Sequence, residues 1–319
     1  MPNVLFLTNE PPEIVALLLR QAPPDFEVNV QANHLSAGEQ MELLAEADFL
    51  ILTGQAPPDN VLRSARRLKL IQLISAGYNH VNGALCRELG IPVANNGGAN
   101  AIDVAEHTIA LILGVYRQLF DVDRCARNNQ WQPERFSLST YTIHGRTVGI
   151  VGMGQIGRRV ARLLHAFGAR LLYSDVRPLP AAEESALSLT RMTLPDLLQQ
   201  ADIVTLHVSL SAESHHLLGR QELALMKPTA LLVNTCRGPV VDEAALIETL
   251  TARQIMGAAL DVLEQEPPAP NNPLFQLDNV LLSPHMAGNS YDTWFRRGQF
   301  MFANIQRVWA GQPPLAVVN

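Results

Sequence analysis

The chain has 319 residues, 47% hydrophobic and 17% charged, an ordinary balance for a globular protein with room for about two domains. A formal charge of −6 and a pI near 5.8 argue against a nucleic-acid binder. Cys86, Cys125 and Cys236 are scattered and odd in number, which excludes a disulfide framework and offers no zinc spacing. No apolar run reaches the ~18 residues of a membrane span. Met1 to Thr8 runs into a strand-like segment without a cationic leader, so a cytoplasmic protein with no membrane partner is expected.

Strand-like and helix-like pieces alternate from the start: Val4–Leu7, Pro12–Arg20, Phe26–Val30, Gly38–Ala45, Phe49–Leu52, Pro58–Arg63, Leu70–Ile74, Val81–Leu89 and Pro92–Ala94. Parallel strands need long crossovers, so this alternation predicts an α/β fold, with residues 1–98 forming one doubly wound parallel-sheet domain. Ala101 to Phe120 has no proline, and Val104, Thr108, Leu111, Ile112 and Val115 make an apolar stripe. One long helix joining two domains is expected there.

The next stretch, Thr147-Val148-Gly149-Ile150-Val151-Gly152-Met153-Gly154-Gln155-Ile156-Gly157, carries the strongest signal in the chain. Val148, Ile150 and Val151 suit a buried parallel strand. Gly152, Gly154 and Gly157 let the following turn, with Gln155 and Ile156, bring backbone N–H groups against a pyrophosphate at a helix N-terminus. Arg158–Phe167 reads as that helix, Gly168 as its C-terminal stop and Arg170–Ser174 as the next strand. Asp175 follows, 18 residues past Gly157 and close to the ~20 expected for a carboxylate on an adenosine ribose. Such an acid accepts from a ribose 2′-OH and repels a 2′-phosphate, so NAD is expected over NADP, with Arg177 as the one cation placed to soften that preference.

Alternation then continues, with strands at Ile203–Val208, Ala230–Asn234, Gly257–Val262 and Asn279–Leu282 and helices at Leu194–Gln200, Gln221–Leu225 and Asp242–Arg253. A terminal helix at Asp292–Gly311 is placed to return to the first domain. Just beyond three of those strands come Thr235-Cys236-Arg237, Glu266-Pro267 and Ser283-Pro284-His285. Open α/β sheets bind ligands outside the carboxyl ends of their strands. Singly, Arg237 reads as a surface cation, Glu266 as a solvated acid and His285 as a structural histidine. Together they supply an arginine to grip a carboxylate, a histidine to exchange a proton and an acid to orient and charge that histidine, which hydroxyl-to-ketone oxidation beside a nicotinamide requires. His107, His215 and His216 read as packing or surface residues, and no cluster shows metal-ligand spacing, so no metal is expected.

On these motifs, together with Asn234-Thr235-Cys236-Arg237-Gly238, Gly257-Ala258-Ala259-Leu260-Asp261-Val262, Asn100-Ala101 and Val104-Ala105-Glu106-His107, essentially the whole chain resembles the D-isomer-specific 2-hydroxyacid dehydrogenase family. The resemblance implies Arg237, Glu266 and His285 as the catalytic set. It implies that backbone at Ser75, Ala76, Gly77 and Tyr78 meets a small anionic 2-hydroxy or 2-keto acid alongside Arg237 and His285. Thr235, Cys236, Asp261 and His207 would lie with the glycine turn and Asp175 on the NAD side. A Rossmann cofactor domain (99–288) would be inserted into a flavodoxin-like substrate domain (1–98 and 289–319), and the protein would be a homodimer through the cofactor domain.

Three departures stand out. Ser209 replaces the proline usual after His207-Val208, Met286-Ala287-Gly288 lacks the aromatic of D-lactate-type members, and the chain to Asn319 leaves no room for an appended regulatory domain. The expected activity is NAD-dependent interconversion of a small D-2-hydroxy acid and its 2-keto acid. A dinucleotide-sensing corepressor-like protein and phosphoglycerate-type or phosphite-type dehydrogenases are the alternatives on the same scaffold.

Overall fold

Phe49-Leu50-Ile51-Leu52 and Leu231-Leu232-Val233 are apolar at every position, so strands built from them need cover on both faces. The computed structural model, which describes residues 1–319, gives them that cover in two separate units: Met1–Asn100 with Asn289–Asn319, and Ala101–Gly288.

The first unit runs β1 (Asn3–Thr8), α1 (Pro12–Leu19), β2 (Glu27–Ala32), α2 (Ala37–Glu46), β3 (Phe49–Leu52), α3 (Asp59–Leu62), β4 (Leu70–Leu73), α4 (Gly83–Glu88) and β5 (Val93–Ala94). Its five strands are all parallel in the order β2-β1-β3-β4-β5. Leu5, Leu7, Leu50 and Leu52 pack into one core, and their neighbours Val4, Phe6, Phe49 and Ile51 into another on the opposite face. Ser36 and Glu39 close a reciprocal cap at the start of α2.

The second unit opens with α5 (Ala101–Tyr116) and α6 (Leu119–Arg127), then runs β6 (Thr147–Val151), α7 (Gln155–Ala166), β7 (Arg170–Ser174), α8 (Ala181–Ala186), β8 (Leu189–Arg191), α9 (Leu194–Gln200), β9 (Ile203–Leu206), α10 (Arg220–Leu223), β10 (Leu231–Asn234), α11 (Glu243–Thr251), β11 (Gly257–Leu260) and β12 (Val280–Leu282). Seven parallel strands lie in the order β12-β11-β10-β9-β6-β7-β8. The order reverses between β6 and β9, the crevice where such sheets take their ligands. Leu231 and Val233 face one core and Leu232 the other, so helices cover both faces. A last helix, α12 (Tyr291–Trp309), belongs to the first unit and packs on α1. Gly298 sits there because a Cβ would lie 2.8 Å from the Leu18 carbonyl oxygen. No helix is long and apolar enough to cross a membrane.

The single long helix expected over Ala101–Phe120 is two helices. The break falls at Arg117-Gln118, where Gln118 takes a left-handed φ of 47°. Neither residue is a helix breaker, so the cause is tertiary. The Tyr116 carbonyl accepts from Tyr141 N at 2.8 Å and the Gln118 amide donates to Ser139 O at 2.8 Å, diverting the chain into α6. The short edge strand β8 and the helix before it had no periodic signal long enough to mark them.

Candidate active site

The glycine turn is built by contact. Gly152 has φ 94°, and a Cβ there would meet the His207 carbonyl oxygen at 2.6 Å, while one at Gly157 would meet the Gly152 oxygen at 2.0 Å. These two glycines let strand, turn and helix touch. Gly154 differs: nothing lies within 4 Å of its missing Cβ, and it stands at the N-cap of α7 with no side chain capping the helix. The open face beside unsatisfied helix N–H groups is the cradle a pyrophosphate needs. Because α7 starts at Gln155 rather than Arg158, Gln155, Ile156 and Gly157 form its first turn.

Asp175 follows β7 directly, half-buried, and its carboxylate accepts from Met153 N at 2.6 Å and Arg177 N at 2.9 Å. The acid is therefore tied to the glycine turn itself. Arg177 is exposed, and the only hydrogen bond between it and Asp175 runs through its backbone. His207 lies just past β9 and is buried. Its Nε2 shares a hydrogen bond with Thr205 Oγ1 at 2.9 Å while Nδ1 has no partner. Burial pushes its pKa down to about 3, so it is neutral at neutral pH. The glycine cradle, the acid and this orphaned ring nitrogen all fit a dinucleotide.

At the end of β10 the Asn234 side chain sets the next turn. Its oxygen accepts from Cys236 N at 3.0 Å and its amide donates to Arg237 O at 3.0 Å, so the chain folds back and presents Arg237. Thr235, buried, shares a 3.1 Å hydrogen bond with Thr108 of α5. Cys236 is buried, which pushes its thiol up to about 11 and keeps it neutral. A Cβ on Gly238 would lie 1.8 Å from the Leu263 carbonyl oxygen, so the Arg237 turn rests directly on the segment leading to Glu266.

Glu266 and His285 meet, with His285 Nδ1 2.5 Å from Glu266 Oε2. The other carboxylate oxygen accepts from Leu263 N at 3.0 Å. Burial opposes ionisation of Glu266, but the hydrogen bonds from His285 and Leu263 and the positive charges of His285 and Arg237 outweigh it and hold its pKa below the usual carboxylate value. A cavity of about 370 Å³ beside the pair is lined by Asp261, Pro267, Phe275, Leu282 and Pro284 among others, and Arg237 is not in its wall.

His285 takes φ 52°, a left-handed conformation that a non-glycine residue holds only when its surroundings insist. Asp261, which lies just past β11 rather than within it, supplies the insistence. Its backbone oxygen accepts from His285 N at 2.8 Å, and its buried carboxylate accepts from Ser283 Oγ at 2.6 Å and from Met286 N and Ala287 N at 2.9 Å each. His107, expected as a packing or surface residue, puts Nε2 3.0 Å from Ser283 Oγ and 3.7 Å from the Asp261 carboxylate. Nothing local to His107 signals this, because its partners are 176 and 154 residues away.

In the first unit, Ser75 to Tyr78 follow β4. Ser75 Oγ donates to Gly77 O at 2.6 Å, and the Asn95 amide donates to Ala76 O at 3.0 Å, so those two carbonyls are engaged within the unit. Tyr78 is exposed.

Residues 109–287 match the family described as D-isomer specific 2-hydroxyacid dehydrogenase, NAD binding domain. A glyoxylate reductase of Thermofilum pendens is 38% identical over 261 residues, covering 81% of this chain and 77% of that one. A glyoxylate reductase of Korarchaeum cryptofilum is 35% identical over 320 residues, covering 99% and 95%. The chain belongs to the D-isomer-specific 2-hydroxyacid dehydrogenases. The crystal structure of the TT0316 protein from Thermus thermophilus agrees with its fold, with a TM-score of 0.84 and 33% identity across 99% of this chain and 100% of that one. As a member of that family this protein is an NAD-dependent D-2-hydroxyacid dehydrogenase, with its dinucleotide fold in the unit that holds the glycine turn.

Proposed function

We propose that this dehydrogenase reduces a small 2-keto acid of the glyoxylate or hydroxypyruvate type to its D-2-hydroxy acid, with Arg237, Glu266 and His285 as the working set. The observation that carries the assignment is the His285–Glu266 contact of 2.5 Å at the carboxyl edge of the sheet. With Nδ1 turned to the carboxylate, Nε2 is the ring nitrogen that exchanges a proton with the substrate oxygen. Glu266 fixes the ring orientation and balances the charge His285 carries before it gives that proton up. Arg237, whose charge reaches Glu266, offers a planar two-point grip for the substrate carboxylate. Gly152, Gly154, Gln155, Ile156 and Gly157 would hold the pyrophosphate and Asp175 the adenosine ribose, with His207, Thr235, Cys236 and Asp261 on the nicotinamide and adenine side. Bound NADH supplies the hydride. The names of the two glyoxylate reductases support a two-carbon substrate, glyoxylate.

The test is NADH oxidation with glyoxylate, hydroxypyruvate and pyruvate, run on wild type and Arg237→Lys. Wild type should turn over at least one of the three, and the lysine variant should lose on the order of a hundredfold in kcat/KM, because an ammonium cannot make the two-point grip. Near-normal kinetics in Arg237→Lys would make Arg237 a surface cation and remove the substrate assignment.

A further inference from the structure

His215 and His216 show no metal-ligand spacing in the sequence, and the nearby Glu213 carboxylate accepts from Ser211 Oγ, yet the fold brings Glu264, 48 residues past His216, up to both of them. Ligand atoms of the three side chains all lie within 4.8 Å of one another. His216 Nε2 is 2.9 Å from Glu264 Oε1, and the two imidazoles stack with centroids 4.1 Å apart and planes 32° apart. We propose that this cluster is a surface site for one borderline divalent cation, Zn²⁺ or a close relative, separate from the Arg237, Glu266 and His285 set.

The donor chemistry selects the metal class. Two imidazoles and one carboxylate are the ligand types of zinc sites that keep a fourth position for water, whereas magnesium and calcium ask for oxygen alone. Zn–N and Zn–O bonds of ~2.0–2.1 Å at tetrahedral angles put donor atoms roughly 3.3 Å apart. The His216–Glu264 pair is already near that spacing, and the remaining donors reach it by side-chain rotation at exposed positions. Glu264 and His215 are exposed and His216 half-buried, so an aqueous ion has a way in.

The backbone beneath each ligand is fixed. His216 holds a left-handed φ of 51°, and its N–H donates to Pro239 O at 2.8 Å, pinning it to the turn just after Arg237. His215 N donates to Ser211 O at 3.0 Å. Glu264 is held at both ends of the residue. Its N–H donates to a Glu243 carboxylate oxygen at 2.8 Å, and its own Oε2 accepts from Glu243 N at 3.1 Å, leaving Oε1 turned to the histidines. Glu243 brings a second negative charge close behind, as outer-shell carboxylates do at metal sites, and Asn272 holds its other oxygen at 2.8 Å. A bound ion would clip the 209–218 loop to the 263–266 segment.

The experiment is equilibrium dialysis of the NADH-saturated protein against ZnCl₂, with Tm followed in parallel, on wild type, His215→Ala, Glu264→Gln and His285→Ala. One ion per chain should bind, Tm should rise with added zinc, and His285→Ala should keep both effects. His215→Ala and Glu264→Gln should each weaken binding by more than about tenfold and abolish the Tm rise. Co²⁺ in place of zinc should give the intense visible absorption of a four- or five-coordinate ion in wild type and not in Glu264→Gln. Zinc binding that survives both cluster variants, or that disappears with His285→Ala, overturns the proposal, and so does a wild type that binds no ion, which would leave His216–Glu264 as a hydrogen-bonded pair alone.

Discussion

Asp175 is the residue on which cofactor choice turns. Its half-buried carboxylate is anchored by Met153 N and Arg177 N, so it cannot swing away from a 2′-phosphate, and the Arg177 side chain is exposed. Charge repulsion of about 1.4 kcal/mol or more should favour NADH over NADPH by at least about tenfold in kcat/KM. Asp175→Ser should bring the two cofactors toward parity, and equal values in wild type would remove Asp175 from the ribose. Glu266 sets a pH behaviour through a shift of known sign. Its pKa is depressed, so it is ionised throughout the neutral range and loses its charge only in acid, below the ordinary carboxylate value. Replacing it by glutamine removes the negative partner that His285 has above that acid range. In Glu266→Gln, ketone reduction, which draws a proton from His285, should therefore lose kcat/KM in the neutral range, where Glu266 is ionised, and approach wild type in acid, where Glu266 itself takes up a proton. An unmoved kcat/KM profile would leave Glu266 only an orienting role.

Elements are joined at this protein's sheet centre by single side chains. Asp202, one residue before β9, accepts from Thr147 N at the start of β6 at 2.9 Å and pairs with Lys227 at 2.9 Å. Burial works against its charge, but the Lys227 and Thr147 hydrogen bonds and the charges of Lys227 and Arg146 prevail and lower its pKa. A depressed folded-state pKa contributes stability that is present above the unfolded value of ~3.9 and disappears as pH falls through the folded one. Asp202→Asn should thus cost about 1–2 kcal/mol at pH 7, and the gap to wild type should close as pH drops below about 4, as read from denaturant midpoints at both pH values. A gap independent of pH would show that packing, rather than charge, accounts for the loss. The turn after β10 is joined to the 263–266 segment in a different way, by Gly238 lying against the Leu263 backbone, where no side chain fits.

For the molecule as a whole, the segment from 119 to 141 leaves a large apolar surface. Leu119, Phe120, Trp131 and Leu138 are all exposed, Leu138 at 96% and Trp131 at 83%. A monomer seldom leaves so many large apolar side chains in water along one segment. We expect a homodimer formed through this part of the cofactor unit, with light scattering giving about twice the 35.0 kDa of the chain. Trp131→Asp with Leu138→Asp should shift the mass to that of one chain while the glycine turn still binds NADH. A wild type that scatters as a monomer would refute the expectation.

The strands and helices of both sheets were largely legible in the sequence because they rest on local chemistry. Phe49–Leu52, Arg170–Ser174 and Leu194–Gln200 have the bounds their apolar pattern predicts, and Gly152 and Gly157 announce their turn because only glycine tolerates those contacts. The same locality marked Arg237, Glu266 and His285 as residues just past strand ends, where a parallel sheet presents its chemistry. What the sequence could not show were the long-range couplings. Gln118 breaks a helix because Ser139 and Tyr141 hold the chain, His285 stands at φ 52° because Asp261 holds its loop, His107 reaches Ser283, and Glu264 joins His215 and His216. Propensity and periodicity act over a few residues, whereas each of these is decided by a hydrogen bond or charge that exists only once distant segments have been packed side by side.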